Sequence, residues 1–577
     1  MDINYYGELP RESCVMAACD SKYFLEHGLA FVKSASDNNK HVHIHIINPT
    51  EEVFSFGCIL QGLAKTKVTY TYNDFEFTEQ WTDENKRTLY ACLRFLIAPV
   101  MLQAVKEKLT ILDIDSIIMS DFKTPMSKSA GYFPRQPLPG TVGWEAEGTK
   151  VAAGIIFYKK DKMSLDITRE VAARIRELPM QWFVDQIALN KVFTMVKERD
   201  PHILYEFDSK FMDWEFIEGT SIWTGKGPRK YDNPTYVAKK KSYDSEIEKI
   251  KEYDNIILSP RLDLPFKKAL GKEKDSMTDP WVRKYWQDYG DKKERELENN
   301  FRITSPRWMF NNTILKYFKD NSTIYCPHVE KKQWGGDDRC IYYMQTVFPW
   351  MMTEDTEGWA GGAKYIETFD PNAEYSEEAF DKLSKYSKNG NSKFPQPKER
   401  LEMIRGKTAG IPFILVPMQL PHDETIKWHS DVGVWQMAIA LAEWAENTPD
   451  APHVVFKFHP LQTPDENFNK FGERLANMEK VAFRLGREIS IHQLFEECEA
   501  VYVINSGTGQ EAMLWDLPVV TFGRADYTPA CIKGNLNDLD FVWEAVKHDD
   551  HESRKRQYRR WYDWYVNKIC INVKEDK

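Results

Sequence analysis

Three stretches of this 577-residue chain carry residue types at spacings that suit anion and metal chemistry. In Ile111-Leu112-Asp113-Ile114-Asp115-Ser116, two carboxylates stand two apart at the end of an apolar run. On an extended strand residues i and i+2 share a face, so Asp113 and Asp115 can reach one cation. Like charges held together away from water are unfavourable unless compensated, and a hard divalent metal carrying a diphosphate compensates them. From spacing alone, a solvated strand end is the commoner outcome. The second stretch is Asn505-Ser506-Gly507-Thr508-Gly509-Gln510-Glu511, where an apolar strand meets a Gly-rich turn and a helix. Such a junction offers free backbone N–H groups and the positive helix end to an anion, with the Ser506 and Thr508 hydroxyls as further donors. It lacks the third glycine of a dinucleotide fingerprint. The third stretch, Lys457-Phe458-His459-Pro460, ends a neighbouring strand and brings Lys457 and His459 towards the same anion.

The elements that must position these residues come in two series of alternating strands and helices. From Cys14 to Phe122, strands at 14–19, 41–47, 67–72 and 109–114 alternate with helices, the last of them long, at about 86–106. This rhythm predicts a largely parallel sheet, whose ligands sit at strand carboxyl ends, where Asp20 and the Asp pair fall. His41, His43 and His45 share one face of their strand and read as a polar sheet face rather than a metal site. Further on come the strand 151–158, the helix opening at 182–190 with Asp185 and Gln186 near its start, and the basic loop Thr224-Gly225-Lys226-Gly227-Pro228-Arg229-Lys230. Glycine lets a backbone approach an anion closely, and Lys and Arg supply charge. Residues 238–255 are charged and read as a solvated linker. The segment 385–400, with Pro395 and Pro397, reads as a polar connection. From 411 the strand–helix rhythm returns, with strands at 411–417, 453–458, 480–485, 500–504 and 518–522, which predicts a doubly wound domain.

Composition bounds the function. The length calls for roughly two to four domains. A net charge of −10 argues against a broad nucleic-acid footprint, while leaving local anion sites open. The N-terminus shows no signal-peptide pattern, and no apolar run approaches the ~20 residues of a membrane span. Nine scattered cysteines, none in a Cys-x-x-Cys pair, indicate neither a zinc site nor a disulfide framework, and a reducing cytoplasm is the expected home.

Two resemblances follow from these residues. The ordered set Asp20-x-x-Tyr23, Arg94 ahead of Ala98-Pro99, Leu112-Asp113-Ile114-Asp115, Ala153-Gly154, Asp185-Gln186 and Gly227-Pro228-Arg229-Lys230 resembles the glycogenin-like GT-A glycosyltransferases over about residues 12–232. That resemblance implies Mn2+ or Mg2+ held by Asp113 and Asp115 on the diphosphate of a UDP-sugar, with Tyr23 flanking the uracil. It further implies donor contacts from Asp20, Arg94, Asp113, Gly154, Gly227 and Lys230, and a catalytic role at the sugar for Asp185 and Gln186. Thr224 stands where that family carries a metal-binding histidine. The second set is Gln419-x-x-x-Asp423, Lys457-x-His459-Pro460, Ser506-Gly507-Thr508-Gly509-Gln510-Glu511 and Val519…Phe522-Gly523…Tyr527. It resembles the capsule-polysaccharide glycosyltransferases, GT-B enzymes related to Kdo transferases, over about 345–545. That resemblance implies nucleotide binding by Lys457, His459, Ser506, Gly507, Thr508, Gly509 and Glu511, with Gln419 and Asp423 at the reaction cleft, where Asp423 is the candidate base or acceptor-orienting carboxylate. Gln510 replaces an aromatic of that family, and its Gly-Trp-Gly after the tyrosine is absent.

The resulting expectation is an α/β protein: a GT-A-like mixed-sheet domain over 1–237, a linker over 238–255, and a GT-B-like pair of Rossmann-like subdomains over 256–405 and 406–577. Its function would be sugar transfer from nucleotide-sugar donors, a UDP-sugar at the first site and a CMP-sugar as a candidate at the second, to a glycan or surface-polysaccharide acceptor, with no nucleic-acid partner. The alternatives are a catalytically decayed sugar-nucleotide-binding scaffold, or a transferase acting on protein or nucleic-acid bases.

Overall fold

The computed structural model describes residues 4–262, 280–394, 396–397, 411–462, 464–484 and 488–574. Pro395, the 405/406 boundary and the last residue of the expected strand 480–485 lie outside them. The chain forms two compact units, one of Met1–Ser276 with Glu298–Ser322, the other of Met277–Leu297 with Thr323–Lys577. Both are α/β, and among the described residues no helix is long and apolar enough to cross a membrane.

In the first unit an eight-stranded mixed sheet runs in the order Tyr6–Gly7, Val68–Asn73, His41–Ile47, Cys14–Asp20, Lys108–Leu112, Val151–Lys159, Ala130–Pro134, Leu204–Glu206. Cys14–Asp20 pairs in parallel with both His41–Ile47 and Lys108–Leu112, and Lys108–Leu112 is antiparallel to Val151–Lys159. The centre is buried on both faces, which is why its strands are nearly continuous apolar runs. His43 and His45 are fully buried in a ladder against Thr69, Thr71 and Asn73, with ring-nitrogen contacts of 2.9 to 3.0 Å. Burial holds His43 down to about 3 and His45 down to about 4, so both rings are neutral structural members, as the polar-face reading expects.

The long helix expected at 86–106 is two helices, Asp83–Leu96 and Ala98–Ala104, with Pro99 in the first turn of the second. Proline at that position needs no backbone donor and pre-sets the helical φ. The segment read as a linker holds the helices Pro234–Lys241 and Asp244–Ile250, which pack into the unit: Ile250 is fully buried, and Glu246 pairs with Lys33 at 3.3 Å. A parallel pair, Asn255–Arg261 with Asn300–Pro306, also belongs here. A methyl group on Gly62 of the helix Glu51–Leu63 would lie 2.9 Å from the Phe301 ring, so glycine allows that close docking.

The second unit contains a six-stranded all-parallel sheet ordered Val481–Arg484, His453–Lys457, Phe413–Pro417, Ala500–Val503, Val519–Thr521, Ile532–Lys533. Numbered along the chain, that is the 3-2-1-4-5-6 order of a doubly wound sheet. Its topological switch point lies between Phe413–Pro417 and Ala500–Val503. A second sheet joins Thr323–Pro327, Cys340–Gln345, Met351–Asp355 and Ile571–Asn572. The helix His551–Trp564 returns onto the parallel sheet, with Tyr558 donating to the Leu517 carbonyl at 3.0 Å and Trp561 Nε1 to the Asp526 carbonyl at 3.2 Å.

Candidate functional site

Each unit gathers one set of the sequence-derived residues at strand carboxyl ends. In the first, Asp113 and Asp115 lie in the turn between Lys108–Leu112 and Ser116–Ile118, closed by Ser116 N donating to the Asp113 carbonyl at 3.0 Å. The same-face argument for a strand therefore does not apply, and the carboxylates face different cations. Asp113 Oδ1 pairs with Arg94, whose other nitrogen lies 3.4 Å from Asp185 Oδ2. Asp115 Oδ2 accepts from Lys230 Nζ at 2.8 Å. The same ammonium lies 2.8 Å from the Tyr23 hydroxyl and 4.6 Å from its ring centroid, a cation–π position. Burial is the largest influence on Asp115; with the charge of Asp113 it outweighs Lys230 and Arg94 and pushes the carboxyl up to about 6. Burial likewise raises Asp185 against the opposing Arg94.

Other predicted residues hold this arrangement in place. Asp20 caps the helix Ser21–Asp37, accepting from Tyr23 N at 2.8 Å, and so fixes where Tyr23 starts. A methyl group on Gly154 would lie 3.1 Å from Asp113 Oδ2 and 3.0 Å from Met212 Sδ, so glycine leaves room for the carboxylate. Gln186 is turned elsewhere: its amide nitrogen donates to the carbonyls of Val151 at 2.7 Å and Gly148 at 3.1 Å, tying helix Val184–Arg199 to the sheet. Gly227 adopts φ +59°, a conformation glycine takes without a steric cost. Thr224 Oγ1 sits 3.5 Å from Asp113 Oδ2 and 3.3 Å from Ser116 Oγ.

Two participants carried no sequence signal. Tyr236, a single aromatic in a lysine-rich stretch, is buried and donates to the Asp115 carbonyl at 2.6 Å. Phe183, just ahead of Asp185, holds the left-handed φ of +74° and fills the space that a side chain on Gly148 would need, 2.4 Å from that ideal Cβ. Among the described residues no group of three or more His, Cys, Asp or Glu is placed to hold a metal. The oxygen donors here are two carboxylates and the Thr224 hydroxyl, a hard set of the type Mg2+ and Mn2+ take when water and phosphate complete the shell.

In the second unit the residues converge at the switch point. Gln419, just past Phe413–Pro417, bridges to the next strand: its Nε2 donates to Asn505 Oδ1 at 3.0 Å and its Oε1 accepts from Asn505 N at 3.2 Å. Asp423 caps the helix Glu424–His429, accepting from Thr425 N and Thr425 Oγ1, each at 2.9 Å. Ser506 caps Gly507–Met513, accepting from Thr508 N at 3.2 Å. The two glycines are needed for packing as well. A methyl group on Gly507 would lie 2.2 Å from Val347 Cγ1, and one on Gly509 would lie 2.5 Å from the Tyr527 hydroxyl. Gln510 points inward, its Nε2 donating to Asp526 Oδ1 at 2.9 Å.

The electrostatics of this site are those of buried lysines and carboxyls acting on one another. Lys457, at the end of His453–Lys457, is held down to about 8 by burial, opposed by Glu511. Glu511 is pushed up to about 7 by burial, opposed by a hydrogen bond from Ser392 and by Lys457 and Lys393. Burial holds Lys393 down to about 8, against Asp423 and Glu511. Ser392 and Lys393 come from the segment read as a plain connection, and Phe394 beside them packs edge-on against His459 at 5.1 Å. Burial holds His459 down to about 4, so its ring is neutral. Leu461 N donates to His459 Nδ1 at 3.1 Å, which leaves the proton on Nε2 as a donor.

Residues 364–558 match the family model described as "Capsule polysaccharide biosynthesis protein". No curated protein matches the chain. Similar solved structures include KpsC of Thermosulfurimonas dismutans, a beta Kdo 2,7 transferase, at 16% identity, covering 50% of this chain and 89% of that one with a TM-score of 0.31. The bifunctional glycosyltransferase WbbM is similar at 12% identity over 41% of this chain and 49% of that one, with a TM-score of 0.27. Mouse xyloside xylosyltransferase 1 is similar at 11% identity over 37% of this chain and 98% of that one, with a TM-score of 0.23. Likeness at this level does not carry function from those proteins to this chain. The family match is different in kind: it spans the doubly wound sheet and its switch-point residues, so the C-terminal part of the chain is of the capsule-polysaccharide type that its strand-end motifs resemble.

Proposed function

We propose that the chain is a two-module glycosyltransferase of surface-polysaccharide synthesis, with a UDP-sugar donor at the first site and a CMP-sugar donor at the second. The observation that carries this reading is the convergence of Lys457, His459, Lys393 and Glu511 at the switch point of a sheet within the capsule-family match. At the second site, Lys457 and Lys393 offer charge to the nucleotide phosphate, and His459 Nε2–H donates a hydrogen bond to it. The acceptor oxygen attacks the anomeric carbon, the carbon–oxygen bond to the nucleotide phosphate breaks, and the acceptor proton passes to Asp423. The leaving phosphate stays with the two ammonium groups, whose alignment before reaction lowers the barrier.

At the first site Asp113 and Asp115, with the Thr224 hydroxyl, would hold Mg2+ or Mn2+. That ion supplies Lewis-acid charge to a leaving diphosphate when bound. Lys230 adds a second positive charge beside Tyr23, whose ring would flank the base. Arg94 holds Asp113 and Asp185 in a fixed relation, leaving Asp185 oriented towards the sugar. Gln186, committed to two backbone carbonyls, acts by positioning the helix that carries Asp185.

The test is mass-spectrometric identification of the nucleotide released from a panel of UDP- and CMP-sugars by the wild type and by Asp113→Ala and Lys457→Ala. Loss of UDP release in the first variant alone and of CMP release in the second alone supports two working modules. A second reading, a first unit that binds but no longer transfers, is favoured by Thr224 and by the occupation of both aspartates by Arg94 and Lys230. In that case UDP raises the melting temperature while no UDP-sugar turns over.

A further inference from the structure

The second unit has a cleft of about 920 Å3 that none of the candidate-site residues above lines. Its floor is aromatic: Trp350 and Tyr386 meet edge to face at 4.8 Å, with Tyr285 also on the wall. Such rings offer flat apolar faces to the C–H faces of sugars while the rim stays wet. Its rim is basic. Lys574 Nζ stands 5.8 Å from the Trp350 centroid, and Lys382 projects from the helix Glu378–Lys388. Neither lysine forms an ion pair among the described residues, whereas Lys284 on the same wall is matched by Asp288 at 3.7 Å. Asn567 and Asn572 add neutral hydrogen-bonding groups. The Tyr386 phenol is pushed up to about 12 by burial, then by the charge of Glu511.

The geometry points to this cleft as the binding site for an acidic oligosaccharide, with its sugar rings on Trp350 and Tyr386 and its carboxylates at Lys382 and Lys574. The assignment rests on the glycosyltransferase reading of this unit and gives it an acceptor class: a glycan bearing carboxylates rather than a neutral one. Lys382 and Lys574, without an ion pair among the described residues and flanking an aromatic pair, favour carboxylates, and the attraction between exposed charges is screened by salt.

Calorimetric titration of the full chain with oligogalacturonate, with an α2,8-linked sialic-acid oligomer and with neutral maltohexaose tests it. The expected result is binding of at least one acidic oligomer, at least tenfold tighter than maltohexaose and weakening as NaCl rises. The double variant Lys382→Glu/Lys574→Glu, which alters two exposed side chains, should lose at least tenfold in acidic-oligomer affinity while binding CMP as the wild type does. Equal oligomer binding by that variant, or no acidic-oligomer binding by wild type, overturns the acceptor assignment. Absence of CMP binding in the wild type instead overturns the donor-site reading, and the two failures are read from separate titrations.

Discussion

The two candidate sites, each proposed to take a phosphate, differ in their charge inventories. The first holds three carboxylates, Asp113, Asp115 and Asp185, against two paired cations, Arg94 and Lys230. The second holds Lys393 and Lys457 with Asp423 and Glu511, and burial keeps the Glu511 carboxyl half protonated near neutrality. An acid-rich site repels a diphosphate until a divalent ion joins it, whereas a site whose lysines match its carboxyls, one of them partly protonated, can receive a phosphate without one. The comparison teaches that anion binding is read from the whole cluster rather than from its most conspicuous motif. The Asp pair alone suggests affinity for cations, and the Gly-rich turn alone overstates the backbone's share.

The largest effects should come from removing one charged group in each site. Asp113→Ala should lower UDP-sugar turnover by roughly 10²–10³-fold and leave CMP-sugar turnover unchanged, and Lys457→Ala should do the converse, by analogy with loss of one transition-state-stabilising group. Steady-state kinetics with both donors on both variants checks this. Cross-effects of similar size would break the division between sites.

A smaller effect concerns pH. Lys393 and Lys457 have folded values near 8, below the ordinary 10.5, so their charges are present below about 8 and are lost above it. Glu511 ionises through about 7 and cancels part of that charge. CMP affinity should therefore begin to fall as pH rises through about 7 and drop steeply above 8, while Glu511→Gln delays the onset to about 8. Lys393→Met should weaken CMP binding by about tenfold at pH 7, a typical share for one charge-assisted hydrogen bond. Titration of CMP across pH 6 to 9 decides it, and an unchanged Lys393→Met would remove the connecting segment from the site. Stability carries the same sign. Between 4.5, the ordinary value for a glutamate, and about 7 the folded state keeps a proton on Glu511 that the unfolded chain has lost. Melting temperature should thus fall with rising pH in that window, and less so in Glu511→Gln.

The smallest expected effects are steric. Gly509→Ala forces a methyl group into the Tyr527 ring and should cost about 1–3 kcal/mol of stability. Gly154→Ala brings one to within 3.1 Å of Asp113 Oδ2 and should raise KM for the UDP-sugar more than it lowers the melting temperature. Denaturant unfolding of both variants compares the two turns directly.

Much of the second unit was legible because its strands are short apolar runs separated by helices at regular intervals, and that rhythm fixes a parallel doubly wound sheet. The capsule-type resemblance of its C-terminal part was legible for the same reason, since its motifs sit at strand ends. The misreadings have local causes. Asp113 and Asp115 leave the strand because Ser116 N closes a turn on the Asp113 carbonyl, a hydrogen bond that periodicity does not encode. The helix past Leu96 restarts at Ala98 because Pro99 is better placed in a first turn than in a helix interior. Lys393 was missed because a polar, Pro-bearing run reads as a connection whatever it later touches. The glycines at 507 and 509 were assigned to an anion, yet Val347 and Tyr527, distant in sequence, also require them.

The most direct test of the charge comparison is isothermal titration of UDP and of CMP into the full chain, each with EDTA and with Mn2+. The account predicts that UDP affinity falls at least tenfold in EDTA and returns with Mn2+, while CMP affinity is the same in both. Metal-independent UDP binding, or CMP binding that disappears with EDTA, would contradict it.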